Sequence, residues 1–555
     1  RQHSDRDSTV IERVASGTIG GGFGRAAGLA TSRAPSDSRA TERLGVVVLT
    51  DDRFVAPNSA IEATEASVRD LCSLSVVSTS ISDGVERLLG EADIGHVGLI
   101  LAGDVASDMA SRFLASELTA DLDVLYGDED RLNDEGRRHD PFYKPAWSPD
   151  RLRHQMYLGG LTIYSRRCLE TIDLSSLASA TSTLELALRA TEAAKTIAHL
   201  PLVLCHRRSV DTWGDVSQQL VAAHRDRVGA DELLGFPVGD PRSGVSRSRG
   251  SVSLVIPTGG GHRMIDGVEV ELISNVIASL SSTTIHADVE IVVVFDQHSS
   301  SELQQRIAAL DTRIVAVQDQ RPFNFAAACN LGVAASNGAV VVLLNDDTEM
   351  VQADWLAGLV ALATEPEVGV VGAKLVYGDG RIQHGGILGR HGTADHRYRG
   401  YPGQHRGYRD ELLTPVNVLA VTGACLAVRR TVWDSVGGMS ESFPLNYNDL
   451  DLCLRLQQQG YRTIQANQIV VRHLETSSRS AGSESWEDDE LQSRWADVLS
   501  DDPYDNPNLC SGYEAQPTPP ALQRLREHLG HRPAARVWTA RRSHAEPHSG
   551  SNLST

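Results

Sequence analysis

Two α/β units in tandem, each a mostly parallel sheet covered by helices, are the architecture that this sequence predicts. Its 555 residues exceed one ordinary hydrophobic core. Each half alternates short β-branched runs with stretches of helical periodicity, the pattern of a parallel sheet with crossover helices. Between the halves, GDPRSGVSRSRGS at 239–251 is Gly/Ser/Arg/Pro punctuation of the linker kind.

Taken in order, residues 1–42 are rich in Ser, Gly, Arg and Thr without a sustained period and read as a flexible leader. The first unit, 43–238, opens with a strand at Val46–Leu49, a helix near Ala60–Leu71 and strands at Leu74–Val77 and Val97–Leu101. It closes with a helix around Leu184–Ala194 and the strand-like run HLPLVLCHRR. A linker at 239–250 follows, then a second unit over 251–502 with the strand SVSLVIP, a helix near Val270–Leu280, the strands VEIVVVFD and RIVAVQ, a helix at Ala326–Ala335 and the run AVVVLLNDD. From 503 to 555 the chain carries Arg524, Arg526, Arg532, Arg536, Arg541 and Arg542 among Pro, His and Ser, and reads as a largely disordered tail. Peripheral contact of that tail with anionic lipid headgroups is the alternative.

A hydrophobic share of 41% and a charged share of 22% belong to a globular protein. A net charge of -20 argues against a nucleic-acid partner, which would need clustered Lys and Arg. An acidic protein that handles phosphates does so locally, often through a divalent cation held by carboxylates. The 7 cysteines lie far apart without a Cys-x-x-Cys pair, so they read as small buried residues of a reducing compartment rather than as zinc ligands or disulfides. No apolar run approaches the ~20 residues that span a bilayer. The opening residues RQHSDRDSTV lack the order of a signal peptide, so a cytoplasmic protein is expected. The chain opens without Met, and a fragment or a processed form stays open.

Three segments carry candidate chemistry. The buried-strand run at 339–344 ends abruptly in Asn345, Asp346, Asp347 and Thr348, at the carboxyl end of a strand, where open parallel sheets bind ligands. Carboxylates there suit Mg or Mn, which take oxygen ligands and keep positions for diphosphate oxygens; a strand-to-turn Asx cap is the structural alternative. A second strand delivers Asp296 to the same edge, where a carboxylate accepts hydrogen bonds from a base or ribose, although many strands end in Asp. In the third, Asp449 and Asp451 precede a helix with apolar Leu452, Leu454 and Leu456 and the stop Gly460, and acids at a helix N-terminus also serve as caps. The cluster Asp128-Glu129-Asp130 reads as a solvated loop paired with Arg131, Arg137 and Arg138, with a second metal site as the alternative.

Asn448-Asp449-Leu450-Asp451, the pair Gly437-Gly438 and the downstream His473 occur together, along with SLVIPT, VVVFDQHSS, RPFNFAAACNLGVAASNG, VVLLNDDTEM, IQHGGI, VTGACLAVRR and VRHLETSSR. On these segments residues 251–480 resemble a family 2 glycosyltransferase domain of the GT-A fold, the Rossmann-like fold of nucleotide-diphospho-sugar transferases. The nearest resemblance is to the bacterial rhamnosyltransferase-like group that decorates cell-wall or capsular polysaccharide, whose usual ending DDPYDNPNL also resembles. The resemblance implies that Pro257, Thr258 and Asp296 line the nucleotide site and that Asn330 lies beside the diphosphate. It places Asn345-Asp346-Asp347 at the Asp-x-Asp motif, with Asp347 the firmest ligand of Mn or Mg, Asp346 beside it and His473 completing the shell. Asp449 falls at the catalytic base. The implied reaction moves rhamnose or a hexose, with inversion, from a dTDP- or UDP-linked sugar to a glycan or lipid-linked acceptor at the inner face of the membrane. Gly259-Gly260-Gly261 departs from the bulkier pair usual in the family, and no Gly-Lys-Ser/Thr follows to make a P-loop.

The first half is similar to the amino-terminal domain of tandem family 2 enzymes through LDVLYGDEDRLNDEGRRHDPFYKPAWSPDRLRHQMYLGGL and HLPLVLCHRR. Its metal motif is reduced to LAGD around Asp104, and Thr183 and Glu185 stand where two acids would. This implies a relic of the GT-A fold without turnover, serving packing, homodimer formation or acceptor binding. The competing reading of the whole chain is a non-catalytic glycan- or nucleotide-binding scaffold. A nucleotidyltransferase is disfavoured, lacking a Gly-rich basic loop after its first strand.

Overall fold

The structure is a computed structural model that describes residues 31–32, 43–50, 57–177, 183–208, 251–265, 267–283, 288–474, 485–510, 516–517 and 535–539. The linker expected at 239–250 lies outside the described residues, as does the leader except for Thr31–Ser32.

In the first unit the strands are β1 (Arg43–Leu49), β2 (Leu74–Ser78), β3 (Ile94–Leu101), β4 (Val124–Leu132), β5 (Thr162–Ser165) and β6 (Thr196–Arg207). The second unit repeats the set as β7 (Val252–Thr258), β8 (Val289–Phe295), β9 (Ile314–Gln318), β10 (Val340–Leu344), β11 (Val368–Val376), β12 (Cys425–Arg429) and β13 (Arg462–His473). The first sheet runs β2-β1-β3-β5-β4-β6 and the second β8-β7-β10-β12-β11-β13, with β9 at the outer edge of the second. The pairing senses agree strand for strand. β1 is parallel to β2 and β3, β5 is antiparallel to β3 and β4, and β4 is parallel to β6. In the second sheet β7 is parallel to β8 and β10, β12 is antiparallel to β10 and β11, and β11 is parallel to β13. The tandem α/β reading therefore holds, and the two units share one topology.

Every residue of β10 is buried, because helices cover both faces of its sheet. The helices that matter to the site are α1 (Thr183–Ala193) in the first unit, and α2 (Phe325–Ala334), α3 (Asn448–Gln458) and α4 (Ser485–Ser500) in the second. The helix expected from Val270 begins at Leu272, since Val268–Glu271 alternates with period two and forms a hairpin strand against His262–Ile265.

The units are joined by buried polar groups. Arg153 Nη1 donates to both Glu365 oxygens at 2.9 and 2.8 Å, and Arg462 reaches Glu365 and Asp150, each at 3.1 Å. Asn417 donates to Asp150 at 2.8 Å and accepts from Ser148 at 3.0 Å.

Two expectations are corrected here. Asp128-Glu129-Asp130 is no solvated loop: it lies inside β4 with exposures of 1%, 2% and 3%. Asp130 does pair with Arg138, at 2.5 Å, but the other partners are remote: Glu129 meets Lys144 and Arg207, and Asp128 meets His199. The stretch after residue 502 is also ordered where it is described. Asn506 and Asn508 donate to Asp128 at 2.9 and 3.2 Å, and Arg536–Thr539 (β14) pairs antiparallel with β6, so Arg536 is buried rather than solvated. Thr31–Ser32 in turn pairs with β14. Among the described side chains six cysteines are free, all buried but Cys72, which is half-buried.

Candidate functional site

The apolar run of β10 stops at the carboxyl edge of the second sheet, where Asn345, Asp346 and Asp347 turn out of the strand. β13 returns beside it and ends in His473, which pairs with Thr348. α3 begins at Asn448, after Tyr447 in the left-handed conformation, and its first turn points Asp449 toward the same place. Asn345, Asp347, Asp449 and His473 all line one cleft of about 470 Å³, although 128 residues separate the first from the last.

His473 is held from both sides. Its Nδ1 lies 2.6 Å from Gln383 Oε1, an acceptor, so Nδ1 carries the proton, and Nε2 faces Asp347 Oδ1 at 2.8 Å. That contact is bridged either by a proton on Nε2 or, with that nitrogen deprotonated, by a metal ion. A metal-binding histidine characteristically donates its other ring N–H in this way. Asn345 Oδ1 is buried without a hydrogen-bond partner, and Asn345 Nδ2 is 3.4 Å from His473 Nε2. Asp347, His473 and the Asn345 oxygen thus fit a divalent cation that completes its shell with substrate oxygens. Among the described residues no three His, Cys, Asp or Glu groups converge on one point. Asp346 is the acid turned away: Thr258 Oγ1 donates to its Oδ2 at 2.6 Å. Burial, with the charge of Asp347 adding to it, pushes the Asp346 carboxyl up to about 6.

Asp449 accepts from the Gly423 N–H at 2.8 Å and from the Leu450 N–H at 2.8 Å. Burial nevertheless raises its carboxyl above the ordinary value, outweighing those donors and the Thr422 hydroxyl. A carboxylate of raised pKa on a cleft wall is suited to accept a proton. Asp451, two residues on, is fully buried and faces away, paired with Arg455 at 2.6 Å and Arg494 at 3.3 Å.

The remaining expected residues separate into two groups. Pro257 and Thr258 end β7, and Asp296 follows β8 on the same edge, where its Oδ1 accepts from the His298 N–H and from Ser299 Oγ at 3.1 and 2.7 Å. Asn330, expected beside a diphosphate, is instead bound to the backbone of Met439, accepting its N–H and donating to its carbonyl, both at 2.9 Å. It thereby fixes the turn Gly437-Gly438 ahead of α3; both glycines have positive φ, 73° and 76°, and a Cβ at 438 would lie 2.5 Å from Asn330 Oδ1.

Three groups at the site escaped the sequence reading. Gln383 fixes the His473 ring, Arg399 brings a guanidinium to the cleft wall while paired with Asp395 at 2.9 Å, and Arg263 on the 262–265 strand stands 3.5 Å from Asp347. None has a spacing that marks it: Gln383 and Arg263 act on partners 90 and 84 residues away, and the partner of Arg399 is only four residues off, as in any surface pair.

Residues 252–497 match the profile of the family described as Glycosyltransferase like family 2. An uncharacterised Sinorhizobium fredii protein, y4gI, is 31% identical over 426 residues, covering 70% of this chain and 45% of that one. The O-antigen biosynthesis protein RfbC of Myxococcus xanthus is 30% identical over 501 residues, covering 83% of this chain and 38% of its own. The chain thus spans less than half the length of either relative. Among solved structures, the mannosyltransferase PcManGT of Pyrobaculum calidifontis with GDP-Man and Mn2+ overlaps 46% of this chain and 65% of its own at a TM-score of 0.31 and 18% identity. GalNAc-T7 with UDP, GalNAc and Mn2+ overlaps 51% and 55% at 0.35 and 17%.

Proposed function

Because residues 252–497 match the model of glycosyltransferase family 2, we propose that the chain is a member of that family, with the GT-A fold in its second unit, and that it transfers a sugar from a nucleotide-diphosphate donor to a hydroxyl of a bacterial cell-surface polysaccharide or lipid-linked glycan. The observation that carries this reading is the convergence of Asn345, Asp347, His473 and Asp449 on one cleft at the carboxyl edge of the sheet. The donor is a dTDP- or UDP-linked rhamnose or hexose, and its nucleotide lies against Thr258 and Asp296, which share that edge. The O-antigen role in the name of the Myxococcus relative supports a polysaccharide acceptor.

Asp347 and His473 hold a divalent cation, Mn or Mg, with Asn345 beside it; such a cation supplies Lewis-acid neutralisation of the departing nucleoside diphosphate. Asp449 removes the proton from the acceptor hydroxyl as that oxygen attacks the anomeric carbon from the face opposite the diphosphate, which inverts the configuration. Gly423 and Leu450 orient the carboxylate through their N–H groups. Among the described residues no helix is long and apolar enough to cross a membrane, and we place the enzyme at the cytoplasmic face as a peripheral protein.

A panel of nucleotide sugars, assayed for nucleotide release with and without Mn2+, tests the reading directly. Asp449→Asn should keep nucleotide binding and lower transfer by about 10²–10⁴-fold, the usual worth of a general base. Loss of binding and transfer together would assign Asp449 a structural role instead.

A further inference from the structure

We propose that in the first unit the guanidinium of Arg207 stands in place of a metal ion, so that the chain has a single divalent-cation site and its first unit is closed to nucleotide diphosphates. The equivalence rests on ladder register. β4 and β6 pair from Val124↔Ile197 to Gly127↔Leu200, meet a bulge, and then run to Asp130↔His206 and Arg131↔Arg207. β11 and β13 pair from Val370↔Thr463 to Ala373↔Ala466, meet a bulge, and run to Leu375↔Val471 and Val376↔Arg472. One step further in the second ladder is His473, so Arg207 occupies its position. In the middle of each sheet, Asp104 follows Leu101 at the end of β3 as Asp347 follows Leu344 at the end of β10, three residues on in each case.

The two equivalent pairs lie at similar distances, the first as a hydrogen bond and the second as an ion pair. Asp347 Oδ1 meets His473 Nε2 at 2.8 Å, and Asp104 Oδ2 meets Arg207 Nε at 2.9 Å. Their surroundings differ. Arg207 Nη1 also reaches Glu129 Oε1 at 3.2 Å, and Lys144 Nζ takes the other Glu129 oxygen at 3.0 Å. Two acids and two bases are thereby neutralised, with exposures of 0% for Asp104, 8% for Arg207, 2% for Glu129 and 1% for Lys144. Burial would raise the Glu129 carboxyl, but Lys144 and Arg207 outweigh it and hold it below the usual range. Backbone packs closely on the cluster: a Cβ on Gly160 would lie 2.6 Å from Arg207 Cδ, and one on Gly159 2.1 Å from Glu129 Oε2.

The base position has changed as well. α1 precedes β6 as α3 precedes β13; it starts at Thr183, which bears no carboxylate, and its Glu185 is committed to Arg189 at 2.7 Å. A permanent +1 charge fixed between two carboxylates balances them without a metal ion, yet it offers no open coordination position to a phosphate oxygen. What remains for the first unit is the buried junction through Asp150 and Arg153 to the second.

Electron paramagnetic resonance titration of the full chain with Mn2+ and UDP tests this. One bound Mn2+ per chain is expected, lost in Asp347→Asn and retained in the charge-neutral double variant Asp104→Asn/Arg207→Gln. A second Mn2+ that survives Asp347→Asn and disappears with Asp104→Asn would overturn the proposal. No bound Mn2+ in the wild type would overturn the single-site count together with the metal reading of the second unit on which it rests. In an Asp347→Asn background, Arg207→His should gain a weak Mn2+ site; a folded variant, verified by circular dichroism, that gains none would overturn the replacement itself.

Discussion

His473 owes its orientation to Gln383, whose oxygen accepts the Nδ1 proton at 2.6 Å and so leaves Nε2 toward Asp347. Gln383→Leu removes that acceptor without touching either ligand, and Mn2+ affinity should fall about 10- to 100-fold while the fold is kept. A titration with unchanged affinity would mean that the ring is positioned by packing alone. Asp449 makes a second prediction at this scale. Burial raises its carboxyl above the ordinary aspartate value, and a general base works only when ionised. The transfer rate should therefore fall as pH drops through that raised value, with an acidic limb above the ~3.9 of a free aspartate. A limb at or below that value would show that Asp449 is solvated in the working enzyme.

Along α3 the side-chain pattern divides two tasks between neighbouring acids. Asp449 opens to the cleft, whereas Asp451 is fully buried and joins the helix to α4 through Arg494 and the Trp495 Nε1–H at 3.1 Å. Asp451→Ala leaves the indole without its acceptor and takes one acceptor from each guanidinium, at a cost of about 1–3 kcal/mol, visible as a lower denaturation midpoint. Because Glu487 of α4 binds the backbone of Leu445 and Asn446 at 3.0 and 2.9 Å, loosening α4 also loosens the turn ahead of Asp449. Transfer should suffer more than nucleotide binding, which depends on β7 and β8 at the other end of the sheet edge.

At the scale of the molecule, two sheets of one topology are locked by a buried cluster of Asp150, Arg153, Glu365 and Arg462. Removing Glu365 leaves Arg153 with Asp150 and leaves Arg462 with Asp150 and the exposed Glu367, and Glu365→Ala should cost about 3–5 kcal/mol, as broken buried pairs do. Calorimetry is expected to show one cooperative transition for the wild-type chain, since neither unit separates without exposing these charges. Two well-resolved transitions in the wild type would show that the junction contributes little. The segment 501–510 adds a second bond between the units, because Asn506 and Asn508, beyond the last helix of the second unit, satisfy Asp128 within β4 of the first.

The sequence by itself determined the tandem α/β class, the strands of the large second sheet from Val252 to Leu344 within one or two residues though not the hairpin at 262–271, and the placing of Asn345 and Asp347 at a strand end, because apolar periodicity and turn chemistry are local properties of the chain. It also singled out Asp449 and His473, though only as a resemblance, since nothing in their spacing shows that they share a cleft. Tertiary structure alone decided that Asp128, Glu129 and Asp130 are buried, that Asn330 fixes a glycine turn, that Arg536 belongs to a sheet, and that Arg207 lies against Asp104. Each of those outcomes depends on a partner tens to hundreds of residues away, and a charge in a sequence carries no record of whether its counter-charge or water will surround it.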